Sequence, residues 1–228
     1  MPWLRVDPFQ DGERVKVLEL FAGTRSIGRA FEARGHEVIS VEYDHVFEGI
    51  TLYADVGKLT VDDVLRICDG VPDVIWASPC CITYSVAGIR YHRAPNEKTG
   101  RWTVPNDDYA RFCDKTNAHL VELIKAVKPK LWFIENPKGN LQYMDFMQEL
   151  ARYKNDVCYC QYGDLRKKPT QIWTNARYTG FLVCPGKACN HWRSKGGASD
   201  LVHGSKFRGV IPVGFCEHIV DICEKEIE

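Results

Sequence analysis

The stretch VKVLELFAGTRSIGRAFEARGHEVISVEYD, residues 15–44, decides the fold. Its first six residues are a short apolar run, the length of a buried strand. FAGTRSIG then breaks the run with a turn. Ile27, Ala30, Phe31 and Ala33 recur at helical spacing, predicting an amphipathic helix over 26–35 that stops at Gly35. EVISVE, 37–42, is a second strand, and Glu42 and Asp44 follow at its end. A strand, a helix and a second strand in so short a span form a unit whose strands run parallel.

The rest of the chain repeats that alternation. LYADV (52–56) is followed by a short helix in VDDVLRICDG (61–70) and a buried strand in PDVIWA (72–77). Residues 86–107 are polar and rich in Gly, Pro and Arg, and read as a long loop. A helix is predicted over 108–127, a strand over LWFIE (131–135) and another helix over LQYMDFMQELARY (141–153). The expected fold class is α/β, one Rossmann-like, doubly wound and mostly parallel sheet with helices on both faces. There is no internal repeat or low-complexity tract.

Composition fits such a domain: 228 residues, 45% hydrophobic and 26% charged. The net charge is zero, but it is unevenly spread. Residues 1–77 carry 8 Lys/Arg against 14 Asp/Glu, whereas 162–208 carry 9 Lys/Arg against 2 Asp. Such asymmetry fits one face meeting a polyanion, and equally fits a solvated surface. Ten cysteines occur in a chain with no apolar leader core in residues 1–15 and no apolar run of membrane-spanning length. Reduced thiols in the cytoplasm are the expectation, with catalysis, metal binding or packing as their uses.

In open α/β sheets ligands sit beyond the carboxyl ends of the strands. The loops after Leu20, Glu42, Ala77 and Glu135 should therefore share one rim. Gly23 permits close backbone approach, and the following helix offers unpaired N–H groups. The GxGxxG pattern is lacking, so a dinucleotide is not favoured. Glu42 stands where ribose hydroxyls are bound in such sheets, and Asp55 could take an adenine amino group. Each alone would read as a tight turn or a solvated strand end; together they favour a site. The third loop, in WASPCCITYS (76–85), sets Cys80 and Cys81 side by side, which raises the question of whether a thiol reacts or both pack.

VLELFAGTRSIGRAFEARGHEVISVEYD, ASPCCITYS and FIENP, in that order, resemble the cofactor and catalytic motifs of the cytosine-C5 methyltransferases, and the short chain is most similar to their compact phage and prophage members. The resemblance implies S-adenosylmethionine (SAM) as cofactor, bound by Phe21, Ala22, Gly23, Thr24, Ser26 and Ile27, then by Glu42, Tyr43, Asp55 and Val56, with Ser78 and Pro79 closing the site. It implies a nucleophilic Cys81 with Cys80 as its neighbour, Glu135 and Asn136 beside the base, and Arg166 as a further catalytic group. Ser85, Arg90, Arg93, Arg101 and Lys168, with His92, would meet nucleic acid. Arg166 and Lys168 can also be read as plain surface charge.

The residue types suit that chemistry. Cytosine C5 attacks a methyl sulfonium only after a soft thiolate has added at C6, and a carboxylic acid at N3 draws electrons as it adds. The chain departs from the family pattern at Ile82, where Gln is usual, and at Pro137, where Val is usual. The resemblance divides the chain into a SAM-binding catalytic domain (1–175), a short recognition region (176–206) and a returning C-terminal helix (207–228).

DNA is the expected partner, and a monomer in a bacterial host cell the expected setting. The same chemistry on RNA, or a nucleic-acid-binding protein that has lost turnover, remain as alternatives. No metal is expected. Cys184, Cys189 and His191 have ligand character, but a fourth ligand is not obvious, with His203, Cys158 and Cys160 left by elimination; metal-free loop thiols are the favoured reading.

Overall fold

A computed structural model describes residues 14–191 and 209–227 of the chain. The stretch read first folds as β1 (Lys16–Leu20), α1 (Ser26–Ala33) and β2 (Glu37–Glu42). Then come β3 (Leu52–Tyr53), α2 (Val61–Ile67), β4 (Val74–Ala77), α3 (Ile89–His92), the hairpin β5 (Arg93–Pro95) and β6 (Trp102–Pro105), and α4 (Asp108–Val127). After β7 (Leu131–Pro137), β8 (Lys154–Cys158) and β9 (Pro169–Thr174), the chain closes on α5 (Val213–Ile227). Seven strands form one sheet in the order β3-β2-β1-β4-β7-β9-β8. The first five are mutually parallel, and β9 runs antiparallel between β7 and β8.

Strand periodicity sorts the core into two layers. Leu18, Leu20, Ile75, Ala77 and Ile134 point to one face and pack with Leu120, Val121 and Ile124 of α4. Val17, Val74, Trp76 and Phe133 point to the other and pack with Ile27 and Phe31 of α1 and Phe215, Ile219 and Val220 of α5. The mostly parallel, doubly wound α/β expectation therefore holds.

Two segments differ from the sequence expectation. Residues 86–107 are not all loop: α3 and the β5–β6 hairpin lie within them. The hairpin turns at Asn96, whose Oδ1 accepts from the N–H groups of Lys98 and Thr99, and at Gly100 with φ +68°. The helix expected over 141–153 is two 3₁₀ segments, Asn140–Tyr143 and Asp145–Tyr153, split by the extended Met144. Of the expected recognition region, residues 192–206 lie outside the described residues, as do 207 and 208 of the C-terminal piece.

Glu19 is the exception within β1. It is 2% exposed, on the face toward α1, where its Oε1 accepts from Gly28 N–H at 2.9 Å. Burial pushes its pKa up from 4.5 to about 7. The folded chain thus holds a proton there that the unfolded chain releases, so this contribution to stability is complete below pH 4.5 and is lost as pH rises through about 7. At about 1.4 kcal/mol per pKa unit the swing is on the order of 3 kcal/mol. Urea midpoints at pH 5 and pH 8 should show Glu19→Gln gaining on the parent protein between the two; an unchanged difference would mean that Glu19 is not the titrating group.

Candidate active site

Because β2, β1, β4 and β7 are neighbours and parallel, their carboxyl ends place four loops side by side. The first, Phe21–Arg25, is a tight left-handed turn: Phe21, Gly23 and Arg25 have φ of 55°, 48° and 56°. Thr24 and Ser26 share a hydroxyl–hydroxyl hydrogen bond of 2.9 Å, and Ser26 Oγ also accepts from Ile211 N–H at 3.3 Å. Ala22 and Ile27 are buried beneath the turn.

Glu42 organises the rim. Its Oε2 accepts from Gly23 N–H at 2.9 Å, and its Oε1 from the N–H groups of Tyr43 and Asp44 at 2.8 and 2.9 Å. A carboxylate has about four lone-pair sites, so one direction, on Oε2, remains for a ligand hydroxyl. Tyr43 is exposed. Asp55 caps the 3₁₀ turn Val56–Lys58 by accepting from Gly57 N–H at 2.9 Å, with Lys58 Nζ 3.6 Å from its other oxygen; Val56 is buried. Among the expected cofactor residues, Gly23 of the first loop and Glu42 at the second are in direct contact.

The third loop carries the cysteines, and they face different surroundings. Cys80 Sγ lies 3.1 Å from the Tyr109 hydroxyl. Hydrogen bonds from the Cys113 thiol, Tyr109 and the N–H groups of Ile82 and Thr83 bring its pKa down to about 6. Burial, followed by the charges of Glu135 and Cys80, pushes Cys81 up to about 11, while the Lys168 cation pulls it back. Cys80 is the more acidic thiol; Cys81 is the one in the field of the carboxylate and the lysine.

Glu135, at the end of β7, is 6% exposed. Burial raises its pKa, against Lys168 and against hydrogen bonds from Tyr159 and Ser78. Tyr159 lies 3.1 Å from its Oε1. Ser78, expected beside the cofactor, links that carboxyl instead to the Trp76 indole, which donates to Ser78 Oγ at 2.9 Å. Asn136 is fully buried, and its Nδ2 donates to the Pro79 carbonyl at 3.0 Å. That bond ties β7 to the cysteine loop, giving Asn136 a positioning role. Gly139 permits a second tie: a Cβ there would stand 2.4 Å from the Tyr84 carbonyl oxygen, and Ser85 pairs with Gly139 as a bridge.

The basic residues divide. Arg90 is exposed on α3, and Arg101 lies with its guanidinium 4.0 Å from the centre of the Tyr143 ring. Arg93 requires a correction. It is 0% exposed, ion-paired with Asp114 at 2.5 Å, stacked 4.2 Å over Tyr84, and its Nε donates to the Thr83 carbonyl at 2.7 Å. Its donors hold the cysteine loop against α4 and β6, so no phosphate reaches it in this conformation. Arg166 is held by both carboxylate oxygens of Asp164, at 2.9 and 2.6 Å. Lys168, whose Nζ is 5.0 Å from the centre of the Tyr159 ring, is the cation beside Glu135 and Cys81. Nothing in the sequence marks Tyr159, in the CYCQY segment, or Lys168, in a basic run, as a partner of Glu135.

No family model and no curated protein sequence matches the chain. Among solved structures it is similar to a prophage-encoded E. coli protein assigned as a DNA modification methyltransferase. The TM-score is 0.51 and the identity 15%, over 70% of this chain and 46% of that one. A Spodoptera frugiperda DNMT2 mutant aligns at TM-score 0.43 and 17% identity, over 70% of this chain and 49% of that one. The chain therefore spans a little under half the length of the first of these, and shares with it the Rossmann-like methyltransferase fold.

Proposed function

We propose that the chain is a SAM-dependent DNA cytosine-C5 methyltransferase that acts through Cys81 on a cytosine turned out of its strand. The observation that carries this reading is the grouping of Cys81, Glu135 and Lys168 on the rim that Glu42 organises. When bound, SAM supplies an electrophilic methyl group. Glu42 would accept from a ribose hydroxyl through its remaining lone pair, and Asp55 would face the adenine edge. The turn at Phe21–Ser26 would lie against the rest of the cofactor.

Glu135, whose pKa burial raises, donates its proton at cytosine N3 as the Cys81 sulfur adds to C6. A protonated Glu135 also removes one of the two charges that hold the Cys81 thiol up, and Lys168 favours the thiolate. Once C5 has been methylated, its proton passes to water, the Cys81 sulfur leaves as thiolate and the N3 proton returns to Glu135, which restores the ring. Asn136 and Arg93 keep the loop in place for this addition. Arg90 and Arg101, on the α3–β6 side of the loop, would meet backbone phosphates.

Incubation of the protein with SAM and duplex DNA should yield 5-methylcytosine by nucleoside mass spectrometry. Product in RNA but not in DNA would move the substrate to RNA. No product in either would leave a nucleic-acid-binding protein with this fold. Glu42→Ala removes a ligand contact and frees three backbone amides, so calorimetry should show S-adenosylhomocysteine bound about 10–100-fold more weakly. Unchanged affinity would take Glu42 out of the cofactor site.

A further inference from the structure

We propose that Cys160, Cys184, Cys189 and His191 form a four-coordinate structural zinc site. Their ligand atoms all lie within 4.8 Å of one another. Cys160 Sγ is 3.5 Å from Cys189 Sγ, and Cys184 Sγ is 3.5 Å from His191 Nδ1. Zinc bonds of about 2.3 Å to sulfur and about 2.0–2.1 Å to nitrogen set tetrahedral edges of roughly 3.8 Å between sulfurs and roughly 3.6 Å between sulfur and nitrogen. The two close pairs, at 3.5 Å each, lie within about 0.3 Å of those edges, and the sulfurs are far too distant for a disulfide at about 2.05 Å.

The local chain is built to hold this arrangement. Between Cys184 and Cys189 runs the 3₁₀ turn Gly186–Ala188, closed by Cys189 N–H donating to the Gly186 carbonyl at 3.2 Å, with Gly186 at φ +71°. Cys184-x₄-Cys189 falls within the C-x₂₋₄-C ligand spacing of structural zinc sites. The remaining thiol comes from the 3₁₀ turn Tyr159–Tyr162, brought alongside by Cys158 N–H donating to the Leu182 carbonyl at 2.9 Å and by Leu182 N–H donating to the Tyr162 hydroxyl at 2.9 Å. Gln161 Nε2 donates to Cys189 Sγ at 3.2 Å and lies 3.5 Å from Cys160 Sγ, an outer contact that orients thiolate ligands. Three thiolates and an imidazole suit zinc and are poor ligands for magnesium or calcium. Four protein ligands leave no position for a water, so the role is structural.

In sequence, metal-free thiols are favoured because the fourth ligand is not obvious among His203, Cys158 and Cys160. The fold supplies Cys160. His203 lies outside the described residues, and Cys158, although 3.4 Å from Cys160, is not in the mutual set. Cys160 adjoins Tyr159, the hydrogen-bond partner of Glu135, so the ion would brace one wall of the rim and the point where the chain enters residues 192–208.

The full chain, purified from zinc-supplemented cells, should contain one zinc per protein by elemental analysis. Cobalt exchanged for it should show the intense visible bands of a tetrahedral ion and a thiolate charge-transfer band. Alkylation and peptide mass spectrometry of the zinc form should find Cys160, Cys184 and Cys189 protected while the half-buried Cys80 is labelled; removing zinc should expose those three. This readout needs no substitution, so a variant that fails to fold does not decide the matter. As a second arm, Cys189→Ser should lose the ion and Cys158→Ala should keep it. A protein without stoichiometric zinc that gives no thiolate–cobalt band overturns the proposal, as does a disulfide or a protected set that excludes Cys160.

Discussion

Replacing Cys81 by serine is expected to abolish methyl transfer, a loss on the order of 10⁴-fold or more, the scale on which removing an attacking nucleophile acts. Cys80→Ala should leave turnover of the same order as the parent protein. The contrast matters because acidity alone points to the other residue: Cys80, at about 6, is the better thiolate at neutral pH, and Cys81, at about 11, the worse. Covalent catalysis also demands direction, and the Cys80 sulfur faces Tyr109 and Cys113 beside α4, while Cys81 shares its field with Glu135 and Lys168. Iodoacetamide at neutral pH should accordingly label Cys80 first without removing most of the activity. Loss of activity that tracks labelling of Cys80 would reverse the assignment.

Glu135→Gln should lower turnover by about 10²–10⁴-fold, since an amide has no proton to deliver at cytosine N3. S-adenosylhomocysteine affinity should hardly change, because Glu135 lies with Tyr159 and Ser78 and away from Glu42. The pH profile carries the sign. Burial holds the carboxyl protonated to higher pH than an ordinary glutamate, so its acid function is present at low pH and fails as pH rises through the raised pKa. The parent protein should lose rate on that alkaline limb, and Glu135→Gln should lack the limb. Full activity in the variant would remove Glu135 from the mechanism.

Much of this was legible because the central strands are short apolar runs bounded by turns. β1, β2, β4 and β7 lie between layers on both faces, where most residues are apolar, and the helices between them keep their spacing. β8 and β9 were not legible. KNDVC is exposed or half-buried over its first three residues and buried only at its last two, and PTQIWT buries Thr170 and Gln171 inside the sheet, so neither reads as an apolar strand. The rim residues Gly23, Glu42, Asp55 and Cys81 stood out because each follows a strand. Arg93 misled because an arginine in a polar loop reads as exposed; its burial depends on Asp114, which on α4 looks like any solvated helix charge. The Cys/His cluster needed Cys160, which the pairings of Leu182 with Cys158 and with Tyr162 bring near Cys189.

The central claim is a covalent bond between Cys81 and a cytosine, and 5-fluorocytosine tests it most directly, because a fluorine at C5 cannot leave as a proton does and the adduct persists. Duplex DNA carrying this base, incubated with SAM and the protein, should give a slow-migrating band on a denaturing gel. Peptide mass spectrometry should place the bond on Cys81. Cys80→Ala should form the same band and Cys81→Ser none. A band that survives Cys81→Ser, or a folded, SAM-binding parent protein that traps neither DNA nor RNA, would contradict the account.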